Sequence, residues 1–92
     1  MNSYQKGRAF EYIIMRKLAE KGYRFIIRSA GSKGAIDVLA SNGLERLAIQ
    51  VKKNGYLKAE EKRRLIEAAK AFMAKPLIAF KKGSRWRMKA AE

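Results

Sequence analysis

Two short apolar runs joined by a turn occupy the stretch that decides the fold, residues 35–52, with the sequence AIDVLASNGLERLAIQVK. Asn42 and Gly43 form a strong hairpin signal between the runs, because both residue types accept the positive φ angles of a tight turn. The sequence therefore predicts antiparallel strands over residues 35–40 and 47–52.

The polar residues of this hairpin are predicted to meet on one face. Side chains alternate along a strand, so Gln50 and Lys52 share a face. An even-numbered loop at or around Asn42-Gly43 pairs Asp37 with Ala48 and makes Gln50 its diagonal neighbour, roughly 7–8 Å away on the same face. An odd-numbered loop would place them on opposite faces. The even register predicts that Asp37, Gln50 and Lys52 lie together.

The flanking sequence predicts an α/β fold. The predicted elements are helices over residues 3–21 and 59–74 and, besides the hairpin, strands over residues 23–29, 77–80 and 84–89. The order is α-β-β-β-α-β-β, and the helical crossover between the third and fourth strands predicts a parallel, right-handed connection. A mixed central sheet flanked by helices follows.

Composition excludes several classes of protein. The chain has 92 residues, 22 Lys+Arg, 8 Asp+Glu and no Cys or His, giving a net charge of +14. Disulfide scaffolds, thiolate metal sites, serine-type triads and histidine bases are excluded. A single domain over residues 1–92 is expected. Without a signal peptide or membrane span in the sequence, we expect a cytoplasmic, nucleoid-associated protein that binds a polyanion.

Glu11 lies within the apolar arc of the first predicted helix, with Ile14 and Leu18 at its i+3 and i+7 positions. A carboxylate at the centre of a buried face is unusual. Glu11 is therefore a candidate functional acid that could cover the Asp37 face of the sheet. An ordinary ion pair with Lys17 or Arg8 at the helix edge explains the pattern equally well.

Two carboxylates and an amide oxygen suit a hard cation such as Mg²⁺. Glu11, Asp37 and Gln50 are the candidate metal ligands, with Mn²⁺ as a substitute ion. Lys52 would orient the nucleophile or stabilise charge on the phosphate. The alternatives are that Gln50 is an ordinary hydrogen-bonded strand residue and that Lys52 and Lys53 are solvated cations.

These residues resemble the PD-(D/E)XK nuclease pattern and, more narrowly, the archaeal-type Holliday junction resolvases. The resemblance is carried by residues spread through nearly the whole chain: Lys6-Gly7, Glu11, the RSAGSK string at residues 28–33, Asp37, Gln50-Val51-Lys52, the RLIE string at residues 64–67, and Trp86-Arg87. In one departure, neutral Gln50 stands where the family usually has an acid. Some relatives similar to the Mrr-type restriction enzymes use Gln-x-Lys.

The resemblance implies a restriction-endonuclease-like αβββαβ core, a homodimer, and magnesium-dependent paired nicking of four-way DNA junctions. Glu11, Asp37, Gln50 and Lys52 would be catalytic. The expected DNA contacts are Lys6, Arg28, Ser29, Ser32, Lys33, Lys53 and Arg85. Leu65, Ala69 and Phe72, on the apolar side of the second helix, are candidate dimer contacts.

Two other functions fit the same sequence. One is a DNA-binding or junction-binding protein that kept the fold and lost or weakened catalysis, since Gln50 removes a negative charge from the metal site. The other is a nuclease of this superfamily for other DNA substrates. Basic charge alone also fits a ribosomal or chromatin-type binder, but such a protein gains nothing from acids placed on apolar faces.

Overall fold

A computed structural model describes residues 3–29 and 34–92 of the chain, and the side chains of residues 8–29 and 34–92. The elements in chain order are α1 (Ser3–Glu20), β1 (Phe25–Arg28), β2 (Val38–Ser41), β3 (Arg46–Val51), α2 (Ala59–Ala71), β4 (Lys75–Lys82) and β5 (Arg85–Ala90). This is the predicted order. Neither helix in the described part of the chain is both long and apolar enough to cross a membrane.

The five strands form one mixed sheet in the order β1-β2-β3-β4-β5. β3 and β4 are parallel, as the crossover through α2 predicts, and the other neighbouring pairs are antiparallel. The chain therefore has the α/β, restriction-endonuclease-like architecture expected from the sequence.

Each face of the sheet packs against one helix. Ile14 and Leu18 of α1 pack with Val38 and Ile49 in one buried cluster. Leu65 and Ala69 of α2 lie in a second cluster, together with alternate residues of the inner strands such as Ala48 and Ile78. Because neighbouring residues of a strand point to opposite faces, the two helices lie on opposite sides of the sheet. The sheet is therefore held between two apolar layers.

The hairpin register differs from the predicted one by two residues. Leu39, and not Asp37, pairs with Ala48. The loop covers residues 42–45, one residue later than predicted, because Asn42 Oδ1 accepts hydrogen bonds from the N–H groups of Leu44 (2.9 Å) and Glu45 (2.7 Å). A two-residue shift preserves which face each side chain occupies. It also brings Gln50 closer to Asp37 than the predicted diagonal position.

The end of α2 also differs from the prediction. The helix stops at Ala71 and not at residue 74, and Met73 has a left-handed φ of 54°. Ala74 N–H donates to Ala69 O (2.8 Å) and Met73 N–H to Lys70 O (3.0 Å), which is the Schellman pattern of a helix C-terminus. This early stop leaves Phe72 and Met73 at the surface, 54% and 75% exposed.

Candidate active site

Asp37 lies immediately before β2, at a local irregularity of the hairpin. Its N–H donates to Ile49 O (2.8 Å), and Ile49 is also the pairing partner of Val38. Two residues of one strand thus oppose one residue of the other, the arrangement of a β-bulge. The predicted strand over residues 35–40 is therefore shortened to begin at Val38. Bulges change the direction of a side chain, and this one presents the Asp37 carboxylate to the carboxyl end of β3.

The Asp37 carboxylate contacts β3 through one oxygen. Oδ2 accepts hydrogen bonds from the Val51 N–H (2.8 Å) and from Gln50 Nε2 (2.9 Å). Burial raises the pKa of Asp37 from 3.8 to about 6; the negative charge of Glu11 adds to this, while the Val51 N–H and the charge of Lys52 act against it. The sequence-predicted residues Asp37, Gln50 and Lys52 therefore come together.

These three residues open into a cleft of about 400 Å³, here called the Asp37 cleft. Its lining residues are Gly34, Ala35, Asp37, Gln50, Lys52, Glu61 and Arg64. Lys52 follows β3 directly, and its N–H donates to Ala79 O of β4 (2.9 Å). Its ammonium lies 3.0 Å from Glu61 Oε2, on the first turn of α2. The cleft thus mixes carboxylates with cations.

Glu11 is close enough to Asp37 for its charge to act on that carboxyl group, but its direct partner is Arg28. Arg28 Nη1 donates to Glu11 Oε1 at 3.2 Å, and the guanidinium also lies 5.3 Å from the centre of the Tyr12 ring. An ion pair for Glu11 was one alternative predicted from the sequence, but with Lys17 or Arg8 as the partner. Among the described residues, no group of three or more acidic side chains is arranged to hold a metal ion.

The candidate DNA contacts whose side chains are described lie on or next to β1, β3 and β5. Ser29 N–H donates to Asp37 O (2.8 Å), which places the start of the RSAGSK string beside the cleft. Lys53 is exposed and lines, with Lys52, Asn54, Lys81 and Gly83, a neighbouring pocket of about 510 Å³. Arg85 is exposed at the start of β5. The Lys6 side chain, Ser32 and Lys33 lie outside the described residues.

Of the three candidate dimer contacts, Phe72 is the one at the surface. Leu65 and Ala69 are 0% exposed inside the chain's own core. Phe72 instead lines an apolar groove of about 200 Å³ where α2 ends beside β1 and β2. We call this groove the β1 apolar face; its lining residues are Phe25, Ile27, Leu39, Ala40, Ser41, Arg46, Phe72 and Ala74. Phe25 and Ile27 are 69% and 64% exposed.

Glu61 was not predicted from the sequence as a member of the cleft, although the topology contains the signal. A crossover helix between parallel strands begins near the carboxyl end of the strand it follows. Lys52 follows that end of β3, so the topology predicts that the first turn of α2 lies near Lys52. Phe25 and Ile27 also carry a signal, since they alternate with Ile26, which packs against the α1 cluster.

Comparisons with known proteins agree with the fold. The family model for the archaeal Holliday junction resolvase, Hjc, matches residues 2–92. The crossover junction endodeoxyribonuclease Hjc of Methanocaldococcus jannaschii is 36% identical over 84 residues, which covers 87% of this chain and 62% of that protein. The structure of Archaeoglobus fulgidus Hjc, a Holliday junction resolvase from an archaeal hyperthermophile, superimposes with a TM-score of 0.80 at 33% identity, covering 94% of this chain and 73% of that one. This chain belongs to the archaeal Holliday junction resolvase family.

Proposed function

We propose that this protein is a structure-selective DNA endonuclease that binds four-way junctions as a homodimer and introduces paired nicks by metal-assisted phosphodiester hydrolysis. The observation that carries the proposal is the meeting of Asp37, Gln50 and Lys52 in one cleft. Burial of a carboxylate is costly unless the acid interacts with a positively charged group. In a chain of net charge +14, the partly buried Asp37 therefore points to a cationic partner in the cleft. The names of the relatives support junction DNA as the substrate.

The donor atoms of the cleft fit a hydrated Mg²⁺ ion, with Mn²⁺ as a substitute. Both hydrogen bonds to Asp37 end on Oδ2, and Gln50 takes part through Nε2, so these contacts leave Asp37 Oδ1 and Gln50 Oε1 as ligand atoms. Mg²⁺ keeps several of its waters and needs few protein ligands. When bound, it would acidify a water molecule and neutralise charge on the phosphodiester. Glu11 would contribute its carboxylate once Arg28 engages phosphate.

Lys52 would act on the scissile phosphate. The Lys52 N–H is bonded to β4, which fixes the position from which the side chain extends into the cleft. An ammonium group held there stabilises the negative charge that develops on the phosphate oxygens during hydrolysis, and it orients the attacking water by a hydrogen bond. The positive charge of Lys52 also favours the ionised form of Asp37.

Cations around the cleft would hold the DNA backbone. Arg28 on β1 pairs with Glu11, whose charge acts on Asp37, and Lys53 and Lys81 line the neighbouring pocket that shares Lys52 with the cleft. Contacts of this kind bind phosphates without reading base sequence. They suit a protein that recognises the shape of DNA, with the acids of the cleft reserved for chemistry.

The β1 apolar face supports the homodimer. Phe25, Ile27 and Phe72 expose large apolar side chains around one groove, and contiguous exposure of this kind marks interaction surfaces in soluble proteins. A two-fold contact would place the same face of a second chain against it. Burial of aromatic side chains in such a contact would offset the repulsion between two basic subunits.

The function is tested by incubating the protein with four-way junctions in which each strand is labelled in turn, with Mg²⁺ or Mn²⁺. We expect a pair of nicks at symmetry-related positions in two strands. Gln50→Glu should raise the Mg²⁺ affinity by about tenfold, because a second carboxylate joins Asp37. The proposal fails if neither the wild-type protein nor Gln50→Glu nicks the junction.

A second candidate function is junction binding without cutting. The observations that favour it are neutral Gln50, which donates its amide to Asp37, and the pairing of Glu11 with Arg28. Of the two candidate carboxylate ligands, Glu11 and Asp37, this arrangement leaves Asp37 available to hold a metal. A nuclease for other DNA substrates would appear in the same assay as preferential cutting of flaps, nicked DNA or plain duplex.

Binding measured against salt separates structure selectivity from general attraction to DNA. We expect the ratio of four-way junction to duplex affinity to persist between 50 and 300 mM salt, roughly, while both affinities fall as counterions are released. Fluorescence anisotropy with matched labelled DNAs measures both. If the ratio falls to one as salt rises, the protein is a general DNA binder.

A further inference from the structure

Glu61 contacts Lys52 from outside the sheet. Lys52 Nζ lies 3.0 Å from Glu61 Oε2, and the two side chains are only 35% and 38% exposed. The hydrogen bond with Lys52 and the Lys58 N–H both lower the pKa of Glu61, so its carboxylate is ionised at neutral pH. The described contact is therefore a charged pair between the proposed catalytic lysine and the first turn of α2.

Glu61 is also fixed at its other oxygen. Its Oε1 accepts a hydrogen bond from the Lys58 N–H (3.2 Å), which is the glutamate half of a capping box at the start of α2. The helix is anchored just beyond by Leu65, which is fully buried. Each carboxylate oxygen of Glu61 thus has its own partner, one in the helix and one in the cleft.

The other glutamates of α2 behave differently. Glu60 pairs with Arg63 and Arg64, and Glu67 pairs with Arg63. These side chains are 62–64% exposed. Such pairs contribute little to stability and hold nothing in place outside the helix. Glu61 is the α2 glutamate that lines the Asp37 cleft.

β3 itself, Arg46–Val51, offers Lys52 no carboxylate. Gln50, two residues earlier on the same face, is neutral, and Asp37 Oδ2 is engaged by the Val51 N–H and Gln50 Nε2. A glutamate at position 50 would lie within reach of the Lys52 ammonium, because residues two apart on a strand point the same way. In this chain the carboxylate that contacts Lys52 comes from the helix.

We propose that Glu61 is a positioning residue for Lys52, and that it supplies from α2 the negative charge that neutral Gln50 does not supply from β3. The part of this inference that concerns cutting rests on the proposed nuclease function. The part that concerns the placement of Lys52 does not. Glu61 holds the ammonium at the mouth of the cleft, where it faces an incoming phosphate, and limits its rotation away from Asp37.

The placement of Lys52 is tested without DNA or metal. Lysine-selective NMR relaxation measures the mobility of the Lys52 Cε methylene, whose signal is identified by its loss in Lys52→Arg. We expect Glu61→Gln to raise that mobility and Gln50→Glu in the Glu61→Gln background to lower it again. Glu60→Gln, which removes the same charge one residue away, should leave it unchanged. Unchanged mobility in Glu61→Gln would overturn the inference.

The consequence for cutting is tested by a double-mutant cycle. Glutamine can keep the capping-box bond, so Glu61→Gln should leave the helix intact. We expect Glu61→Gln to lower the single-turnover nicking rate about tenfold in the wild-type background and less than about twofold in the Gln50→Glu background. Junction affinity should not fall, because a negative charge has been removed. Equal losses in the two backgrounds would contradict a shared role.

Failure of the inference is distinguishable from failure of the proposed function. If the wild-type protein and Gln50→Glu both leave every junction uncut, the nuclease function is overturned, while the NMR result still decides whether Glu61 positions Lys52. A wild-type protein that cuts, with Glu61→Gln and Glu60→Gln cutting equally fast, retains the nuclease function and overturns the role of Glu61.

Discussion

Replacement of Asp37 by asparagine is expected to reduce junction nicking by roughly a thousandfold, because the variant loses the carboxylate proposed to hold the metal. Junction affinity should change by less than about threefold, since phosphate binding depends on the surrounding cations. Single-turnover nicking with labelled junctions and anisotropy in EDTA measure the two effects separately. Glu67→Gln, which neutralises an acid on the exposed surface of α2, is the matched control and should cut normally.

The same substitution is expected to stabilise the metal-free protein. Burial raises the pKa of Asp37 from 3.8 to about 6, so the folded state holds the proton more tightly than the unfolded state does. The stabilisation from the bound proton is complete below pH 3.8 or so and is lost as pH rises through about 6. The loss amounts to about 3 kcal/mol at neutral pH. The asparagine of the variant carries no charge at any of these pH values and avoids the loss.

Urea unfolding in EDTA checks this result. The difference in unfolding free energy between Asp37→Asn and the wild-type protein should grow between pH 4 and pH 7, by up to about 3 kcal/mol. Asparagine can still accept the Val51 N–H, and a flipped Gln50 amide can accept from its nitrogen. If Asp37→Asn is less stable than the wild-type protein at pH 7, or nicks at more than a tenth of its rate, Asp37 has a structural role instead.

Replacement of Phe72 by lysine is expected to convert the proposed dimer to a monomer. The side chain is 54% exposed on the β1 apolar face, so the chain's own core loses little. A lysine near the end of α2 is compatible with the helix dipole. In a dimer, however, its ammonium would be buried against apolar groups of the partner, which we expect to weaken association by at least about a hundredfold.

Sedimentation or light scattering measures the change in mass, and the labelled-junction assay measures its effect on cutting. The monomer should lose the coupling between the two nicks. Leu44→Lys is the matched control, because Leu44 is 99% exposed in the hairpin loop and is not one of the residues that line the β1 apolar face. A Phe72→Lys protein that remains dimeric would place the interface elsewhere.

Much of the fold was predictable because its elements follow from local patterns. Alternation of apolar residues indicated the strands, and the helix between the third and fourth strands required their parallel pairing. The hairpin register did not follow from these local patterns, because it depends on hydrogen bonds from the loop backbone to the Asn42 side chain. The observed pairs require a four-residue loop centred one position later than the predicted loop. The amino-acid composition of the turn does not distinguish these two loops.

The candidate site was predictable to the extent that it depends on strand parity. A two-residue slip leaves Asp37 and Gln50 on one face, so the error in register did not separate them. The partners of Glu11 and Lys52 were not predictable, because salt bridges between elements depend on how the helices sit on the sheet. Arg28 for Glu11 and Glu61 for Lys52 are both contacts of this kind.

α2 extends from the Asp37 cleft to the β1 apolar face, with Glu61 on its first turn and Phe72 as its C-terminal cap. Its 13 residues span about 20 Å of rigid backbone. In a dimer formed through the β1 apolar face, the separation between the two clefts would therefore be set by two helix lengths and not by flexible loops. This fixed separation would give the two cuts a constant spacing on any junction that the dimer binds.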